Sequence, residues 1–70
     1  MTATKPQKNL SARETQVLDL LAQGFYYQEI SDRLGISYAT VHTHIRHIYK
    51  KFQVSSRGRA VAKFLLQPAR

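Results

Sequence analysis

Four segments of the chain repeat apolar residues at helical spacing, and none alternates as a strand does. Ser11 precedes the first segment and Glu14 follows three residues later, which is the pattern of a capping box. Gly24 supplies a left-handed stop at the other end. These signals predict a helix over residues 12–23, whose apolar positions are Val17, Leu18 and Leu21.

Two further helices are predicted on either side of a short link. Residues 27–34 carry apolar side chains four apart and are ended by Gly35, although no good capping side chain precedes them. Ser37 is the expected N-cap of a longer helix over residues 38–52. The apolar stripe of that helix consists of Val41, Ile45, Ile48, Tyr49 and Phe52.

The last segment predicts a fourth helix, which starts after Ser55 or Ser56 and ends before Pro68. Its apolar positions are Ala60, Val61, Phe64 and Leu65. The chain of 70 residues corresponds to about one small domain. We therefore expect an all-α, four-helix (tetrahelical) domain over residues 10–67, with a flexible leader or linker end over 1–9 and a tail over 68–70.

Positive charge is concentrated in the second half of the sequence. Residues 1–37 carry four bases and four acids, whereas residues 38–70 carry seven bases and no acid, which accounts for the formal net charge of +7. A polyanion is the natural partner for such a half. A solvated basic surface that serves solubility is the alternative interpretation.

The link between the second and third predicted helices, residues 34–37, has the spacing of a helix-turn-helix. Gly35 permits the sharp turn, and Ile36 anchors it. The face of the third helix opposite its apolar stripe carries His42, Thr43, Arg46, His47 and Lys50. Because an α-helix fits the major groove of B-DNA, where Arg pairs with guanine, this pattern favours a recognition helix.

The stretches "LSARE", "VLDLLAQG", "EISDRLGIS", "TVHTHIRHIYKKF" and "VSSRGRAV" together resemble the LuxR-type (GerE-like) helix-turn-helix domain. That domain occurs at the C-terminus of NarL/FixJ-type response regulators of two-component systems and of quorum-sensing regulators. The resemblance covers about three quarters of the chain. It implies a DNA-binding output domain of a bacterial transcription regulator, which binds two half-sites as a dimer and recruits or obstructs RNA polymerase.

The resemblance also implies roles for individual residues. The base-reading positions fall on His42, Thr43 and Arg46. The phosphate-facing positions fall on Ser37, Thr40, His44, Lys50, Lys51 and Arg57. In the fourth helix, which can dimerise in this family, the candidates for the dimer contact are Val61, Phe64 and Leu65.

Three positions depart from the family pattern. His42 stands where Lys is most usual, which predicts a weaker or pH-sensitive contact at that base. Tyr26 stands where a small capping residue is usual, and Arg59 replaces an acid. Because Arg59 removes the Glu of a Ser56 capping box, we expect the fourth helix to fray at its start. Its uncapped backbone N–H groups, together with Arg57 and Arg59, would then form a phosphate-binding site.

Other functions find less support in the sequence. His44 and His47 have the spacing of a helical metal-binding pair, but His42 points away from them, so we expect no metal. The four acids are scattered, Glu14 is explained by capping, and we expect no enzyme and no cofactor. Glu29 is interpreted as a solvated residue or a partner of Arg33. The aromatic residues favour a core over base stacking, with Tyr38 as the exception.

The absence of cysteine excludes a disulfide and fits a reducing cytoplasm. Apolar runs of membrane-spanning or signal-peptide length are absent, so we expect a soluble cytoplasmic protein with no membrane partner. Two alternatives to the regulator domain remain. One is a sigma-factor-like, polymerase-associated DNA-binding region, and the other is a basic module that docks on an acidic protein or an anionic membrane.

Overall fold

The computed structural model describes residues 10–66 and contains helices α1 (Ala12–Ala22), α2 (Tyr27–Leu34), α3 (Tyr38–Phe52) and α4 (Arg57–Leu66). No strand occurs in this described part. The expected all-α class and the four helices are confirmed. The expected leader (1–9) and tail (68–70) lie outside the described residues, as does residue 67.

Local signals set the ends of α1. The Ser11 hydroxyl accepts a hydrogen bond from the Glu14 N–H, and the Glu14 carboxylate accepts one from the Ser11 N–H, each at 3.0 Å. The predicted capping box is therefore confirmed. The helix ends at Ala22, one residue earlier than expected, because Gln23 serves as its C-cap. Gly24 follows with a φ of +99° and provides the predicted left-handed stop.

The turn between α2 and α3 is also set by local signals. Gly35 adopts the left-handed conformation, with a φ of +67°, and the following Ile36 N–H donates to the Ser31 carbonyl at 3.1 Å. The Ser37 hydroxyl then accepts from the Thr40 N–H at 3.0 Å and caps α3. Both helices cover the residues expected from the sequence.

The start of α2 carries half of a capping box. Tyr26 provides no side-chain cap, but its N–H donates to the Glu29 carboxylate at 2.8 Å. Glu29 is exposed, as the solvated interpretation expected, and it also stabilises the helix start, a role that the sequence analysis did not assign to it. The Arg33 guanidinium lies 4.1 Å from the centre of the Phe25 ring.

The core is assembled around α3, which contacts all three other helices. Its predicted stripe is buried at Val41, Ile45, Ile48 and Phe52, whereas Tyr49 is only partly buried. The remaining buried apolar side chains are Leu10, Val17, Leu18, Leu21, Ile30 and Ala60. Burial of one stripe therefore fixes which residues of α3 are left on the surface.

Cations attach α4 to the ends of α1 and α3. The Arg57 guanidinium donates to the carbonyls of Leu21 at 3.1 Å and Phe25 at 3.0 Å. The Lys63 ammonium donates to the carbonyl of Phe52 at 3.0 Å. The Ser56 hydroxyl accepts from the Arg59 N–H at 3.3 Å, so of the two serines considered, Ser56 caps this helix.

Glu14 is a buried carboxylate that joins α1 to α3. It is 5% exposed, accepts from the Lys51 ammonium at 2.7 Å and lies 3.5 Å from Nδ1 of His47. Burial raises the pKa of Glu14. Hydrogen bonds from Lys51 and Ser11, together with the charges of Lys51 and His47, lower the pKa by more than burial raises it. The net pKa therefore lies below the ordinary glutamate value.

Glu14→Gln should reduce the acid sensitivity of the fold. Because the pKa of Glu14 is lowered by folding, its charge stabilises the native state above the ordinary glutamate pKa, and this stabilisation is lost as pH falls through the folded pKa. We expect Glu14→Gln to lower the free energy of unfolding at pH 7 by about 1–2 kcal/mol, since Lys51 is partly solvated. Urea titrations at several pH values between neutral and acidic should then show that the free energy of unfolding of Glu14→Gln falls less steeply with decreasing pH than that of the wild-type chain.

Asp32→Asn is the matched control, because Asp32 is an exposed carboxylate that accepts a hydrogen bond from Gln28 of its own helix at 3.3 Å. This variant should keep the pH dependence of the wild-type chain. If the free energy of unfolding fell equally with decreasing pH in the wild-type chain and in Glu14→Gln, the role assigned to the buried carboxylate would be contradicted.

Two Gly→Ala substitutions should change stability in opposite directions. A Cβ at Gly35 meets no atom within 4 Å, so Gly35→Ala is costly only because of its positive φ, by about 1 kcal/mol. Gly58 lies within α4 without a positive φ, and its added Cβ is also unobstructed. Gly58→Ala should therefore stabilise the chain by about 0.5 kcal/mol. Thermal unfolding measures both, and a shift of the same sign in the two variants would refute the argument.

Candidate nucleic-acid interface

The exposed side of α3 forms a ridge of small and cationic side chains, which we call the α3 ridge and define as Ala39, Thr43, Arg46 and Lys50. All four are exposed and lie opposite the buried stripe of the helix. A shallow depression along it is lined by Thr43, Arg46, His47, Tyr49, Lys50 and Val54. The sequence analysis placed Thr43, Arg46 and Lys50 of the α3 ridge on the outward face. It did not include Ala39, which has no polar group.

The Thr43 hydroxyl donates a hydrogen bond within its own helix. Its Oγ1 donates to the carbonyl of Ala39 at 3.0 Å, four residues earlier. The side chain is therefore held in place, and a ligand would meet its methyl group and the acceptor lone pairs of its oxygen. Arg46 beside it keeps a guanidinium with five donors.

The flank of the ridge that faces α2 is aromatic. The Tyr27 ring lies 6.0 Å from the Tyr38 ring and 5.9 Å from the His42 imidazole, between ring centres. His42 and Tyr38 are both exposed, Tyr38 by half. Burial, followed by a hydrogen bond and charge interaction with Tyr49, raises the pKa of Tyr27 to about 12.

The opposite flank faces α1 and holds two of the residues expected at phosphate. Lys51 contacts the buried Glu14 carboxylate, and His44 is partly buried, with an Nδ1 that has no hydrogen-bond partner. His47 lies between this flank and the ridge, with a side chain that is 55% exposed. Phosphate contact by Lys51 stays a prediction, since its ammonium already donates to the Glu14 carboxylate and has further donors.

The other expected phosphate residues lie at three places. Ser37 and Thr40 are exposed at the start of α3, where their hydroxyl oxygens are 2.9 Å apart. Lys50 is on the α3 ridge. Arg57 is not on α3: it lies against the carbonyls of Leu21 in the last turn of α1 and of Phe25 after it, 6.0 Å from the Tyr26 ring. The structure thus brings His42, Thr43, Arg46 and Lys50 to one surface and gives Arg57 internal partners.

The sequence analysis missed Tyr27, which touches two residues of the candidate interface. A signal was its spacing of three residues from Ile30 and seven from Leu34, which places Tyr27 on the apolar face of α2, where it packs against the core. The histidines do not form a metal site with each other: no group of three His, Cys, Asp or Glu side chains that could hold an ion occurs within residues 10–66. In that same part of the chain, no helix is long and apolar enough to cross a membrane.

Known proteins share this arrangement. Residues 8–64 match the family described as "GerE: Bacterial regulatory proteins, luxR family". The probable transcriptional regulatory protein SgaR of Hyphomicrobium methylovorum is 44% identical over 57 residues, which cover 81% of this chain and 27% of SgaR. The HTH-type transcriptional regulator MalT of Vibrio cholerae is 42% identical over 60 residues, which cover 83% of this chain and 7% of MalT.

A solved structure agrees with these relatives. The crystal structure of the response regulator ChrA of a heme-sensing two-component system superimposes with a TM-score of 0.76 and 45% sequence identity, over 83% of this chain and 29% of ChrA. The chain therefore spans less than a third of the length of these three proteins. The family match and the four-helix arrangement with its exposed α3 lead to one conclusion: the chain belongs to the luxR family of bacterial regulatory proteins and is a DNA-binding domain of a transcription regulator.

Proposed function

We propose that this domain binds duplex DNA in a sequence-specific manner, with α3 in the major groove. The observation that carries the proposal is the α3 ridge, which exposes Thr43, Arg46 and Lys50 in a row while the opposite stripe of the same helix is buried. An α-helix has the diameter that the major groove of B-DNA admits. Residues 38–52 contain three bases and no acid, so the whole helix can approach phosphates without repulsion.

We assign base reading to His42, Thr43 and Arg46. The Arg46 guanidinium can donate to O6 and N7 of guanine at once, which is the commonest specific contact in the major groove. Phosphate contacts are assigned to Ser37, Thr40, His44 and Lys50. Lys51 and Arg57 belong to this set as well, because an ammonium has three donors and a guanidinium five, so each can contact a phosphate besides its partner within the chain. Contacts of the two kinds have different consequences, because only base contacts carry sequence information.

We further propose that two copies bind two half-sites through α4. Leu65 is 65% exposed and Leu66, which the sequence analysis did not include, is 81% exposed. Val61 and Phe64 are partly buried against the core of the same chain, so Leu65 and Leu66 offer most of the apolar surface. Two exposed leucines side by side favour an association that covers them.

The wider role follows from the relatives. SgaR, MalT and ChrA are named as regulators, which supports a regulatory role for this domain. The proposal also includes a cytoplasmic location, RNA polymerase as a further partner and no catalysis, which are what the resemblance to LuxR-type domains implies. ChrA is named as a response regulator of a two-component system, and the 45% identity supports a similar output role here.

Arg46→Ala should relax base preference, whereas Lys50→Ala should weaken binding to all duplexes alike. Loss of the bidentate guanidinium is expected to cost about 1–3 kcal/mol on the preferred duplex and much less on random DNA. Loss of the Lys50 ammonium should reduce the slope of log affinity against log salt by about one. Fluorescence anisotropy with a duplex selected from a random pool, at several salt concentrations, measures both effects.

Arg13→Ala is the control, because it removes one cation from α1 and none from α3. It should leave base preference unchanged. Equal losses on selected and random duplexes for Arg46→Ala would refute its base-reading role. Tighter binding to anionic vesicles than to any duplex would refute DNA binding as the function and favour a membrane-docking module.

Binding of two copies should depend on half-site spacing. Half-sites about one helical turn apart, roughly 10 base pairs centre to centre, should be occupied cooperatively, and insertion of half a turn should abolish this cooperativity. Leu65→Ser combined with Leu66→Ser should abolish it at every spacing. Gln16→Ser, an exposed substitution on α1, serves as the control. Gel shifts across a spacing series test this, and indifference to spacing would refute the dimer.

A further inference from the structure

Three aromatic rings meet where the start of α2 packs on the first half of α3. Tyr27 is the shared member: its ring tilts by 51° against Tyr38 and stands at 74° to the His42 imidazole, in an edge arrangement. Both ring distances fall in the range in which aromatic pairs attract each other. We call Tyr27, Tyr38 and His42 the aromatic cluster.

Tyr27 is anchored better than its two partners. It is the first residue of α2, and its side chain is partly buried and packs against the core. Tyr49 follows His42 by seven residues, or about two turns, and therefore lies on the same flank of α3. The Tyr27 ring is thus held by the helix backbone and by its packing on the core, against one flank of the candidate recognition helix.

His42 is exposed and depends on this ring for its orientation. Within the described residues, no hydrogen bond or ion pair restrains its imidazole, and the Tyr27 ring packs against it. An exposed side chain without such a contact would populate several rotamers and would lose that freedom on binding a base. A side chain that is held in one rotamer before binding avoids this loss.

Resting on the function proposed above, we propose that Tyr27 is a positioning residue for base reading. It holds the His42 imidazole in one rotamer on the α3 surface, so that base preference at the pair read by His42 depends on a side chain of α2. An aromatic pair of this kind corresponds to a change of roughly 2- to 10-fold in an equilibrium constant. The specificity surface therefore extends beyond α3.

The test compares substitutions that remove different parts of the tyrosine. Tyr27→Leu removes the ring, whereas Tyr27→Phe keeps the ring and removes only the hydroxyl. Tyr26→Leu removes a neighbouring tyrosine that is 70% exposed and outside the cluster, and serves as the matched control. The probe is the duplex that the wild-type chain selects from a random pool, with each base pair replaced in turn.

His42→Ala first identifies the pair at which base preference depends on His42. Tyr27→Leu should then reduce the preference at that pair by about 2- to 10-fold and leave the other pairs unchanged. Tyr27→Phe and Tyr26→Leu should keep the wild-type preference there. Wild-type preference in Tyr27→Leu, an equal loss at every pair, or no pair that responds to His42→Ala would overturn the proposal.

The free wild-type chain supplies a second measurement that needs no variant. Three-bond couplings should show one dominant χ1 rotamer for His42, and its ring protons should carry a ring-current shift from Tyr27. Rotamer averaging would overturn the proposal even if Tyr27→Leu fails to fold. If the wild-type chain binds no duplex, the proposed function falls and base reading falls with it. If it binds and only the Tyr27→Leu result fails, the proposed function stands and this inference alone is lost.

Discussion

One side of α3 is buried by α1, α2 and α4, and this burial fixes how the helix is turned about its own axis. Because 15 residues have to supply both a core stripe and an outer surface, rotation by one position would bury cations and expose isoleucines. The ridge of Thr43, Arg46 and Lys50 is therefore a by-product of core packing. The rest of the domain serves to hold α3 in this orientation.

The parts of the fold that could be predicted are those encoded by neighbours in the sequence. The Ser11 capping box, the left-handed Gly35 and the Ser37 cap each involve residues within four positions of one another, so their geometry follows from residue type and spacing. The outward face of α3 follows from the same reasoning, since the helical period places it once the apolar stripe is known.

The parts that could not be predicted depend on contacts between distant segments. Lys51 and Glu14 are 37 positions apart, and Arg57 and the Leu21 carbonyl are 36 apart, so neither pairing leaves a local pattern. A basic residue beside a recognition helix is equally compatible with a phosphate partner and with an internal one. Only the three-dimensional packing shows that these two cations already have partners within the chain.

The cations of α4 have a consequence for the electrostatics of the whole domain. The carbonyl end of a helix carries a partial negative charge, and Arg57 and Lys63 lie against the carbonyls at the ends of α1 and α3. Part of the positive charge of the second half of the chain therefore neutralises helix macrodipoles. The formal charge of +7 thus overstates the positive charge that a polyanion meets, whereas Arg46 and Lys50 of α3 remain exposed to it.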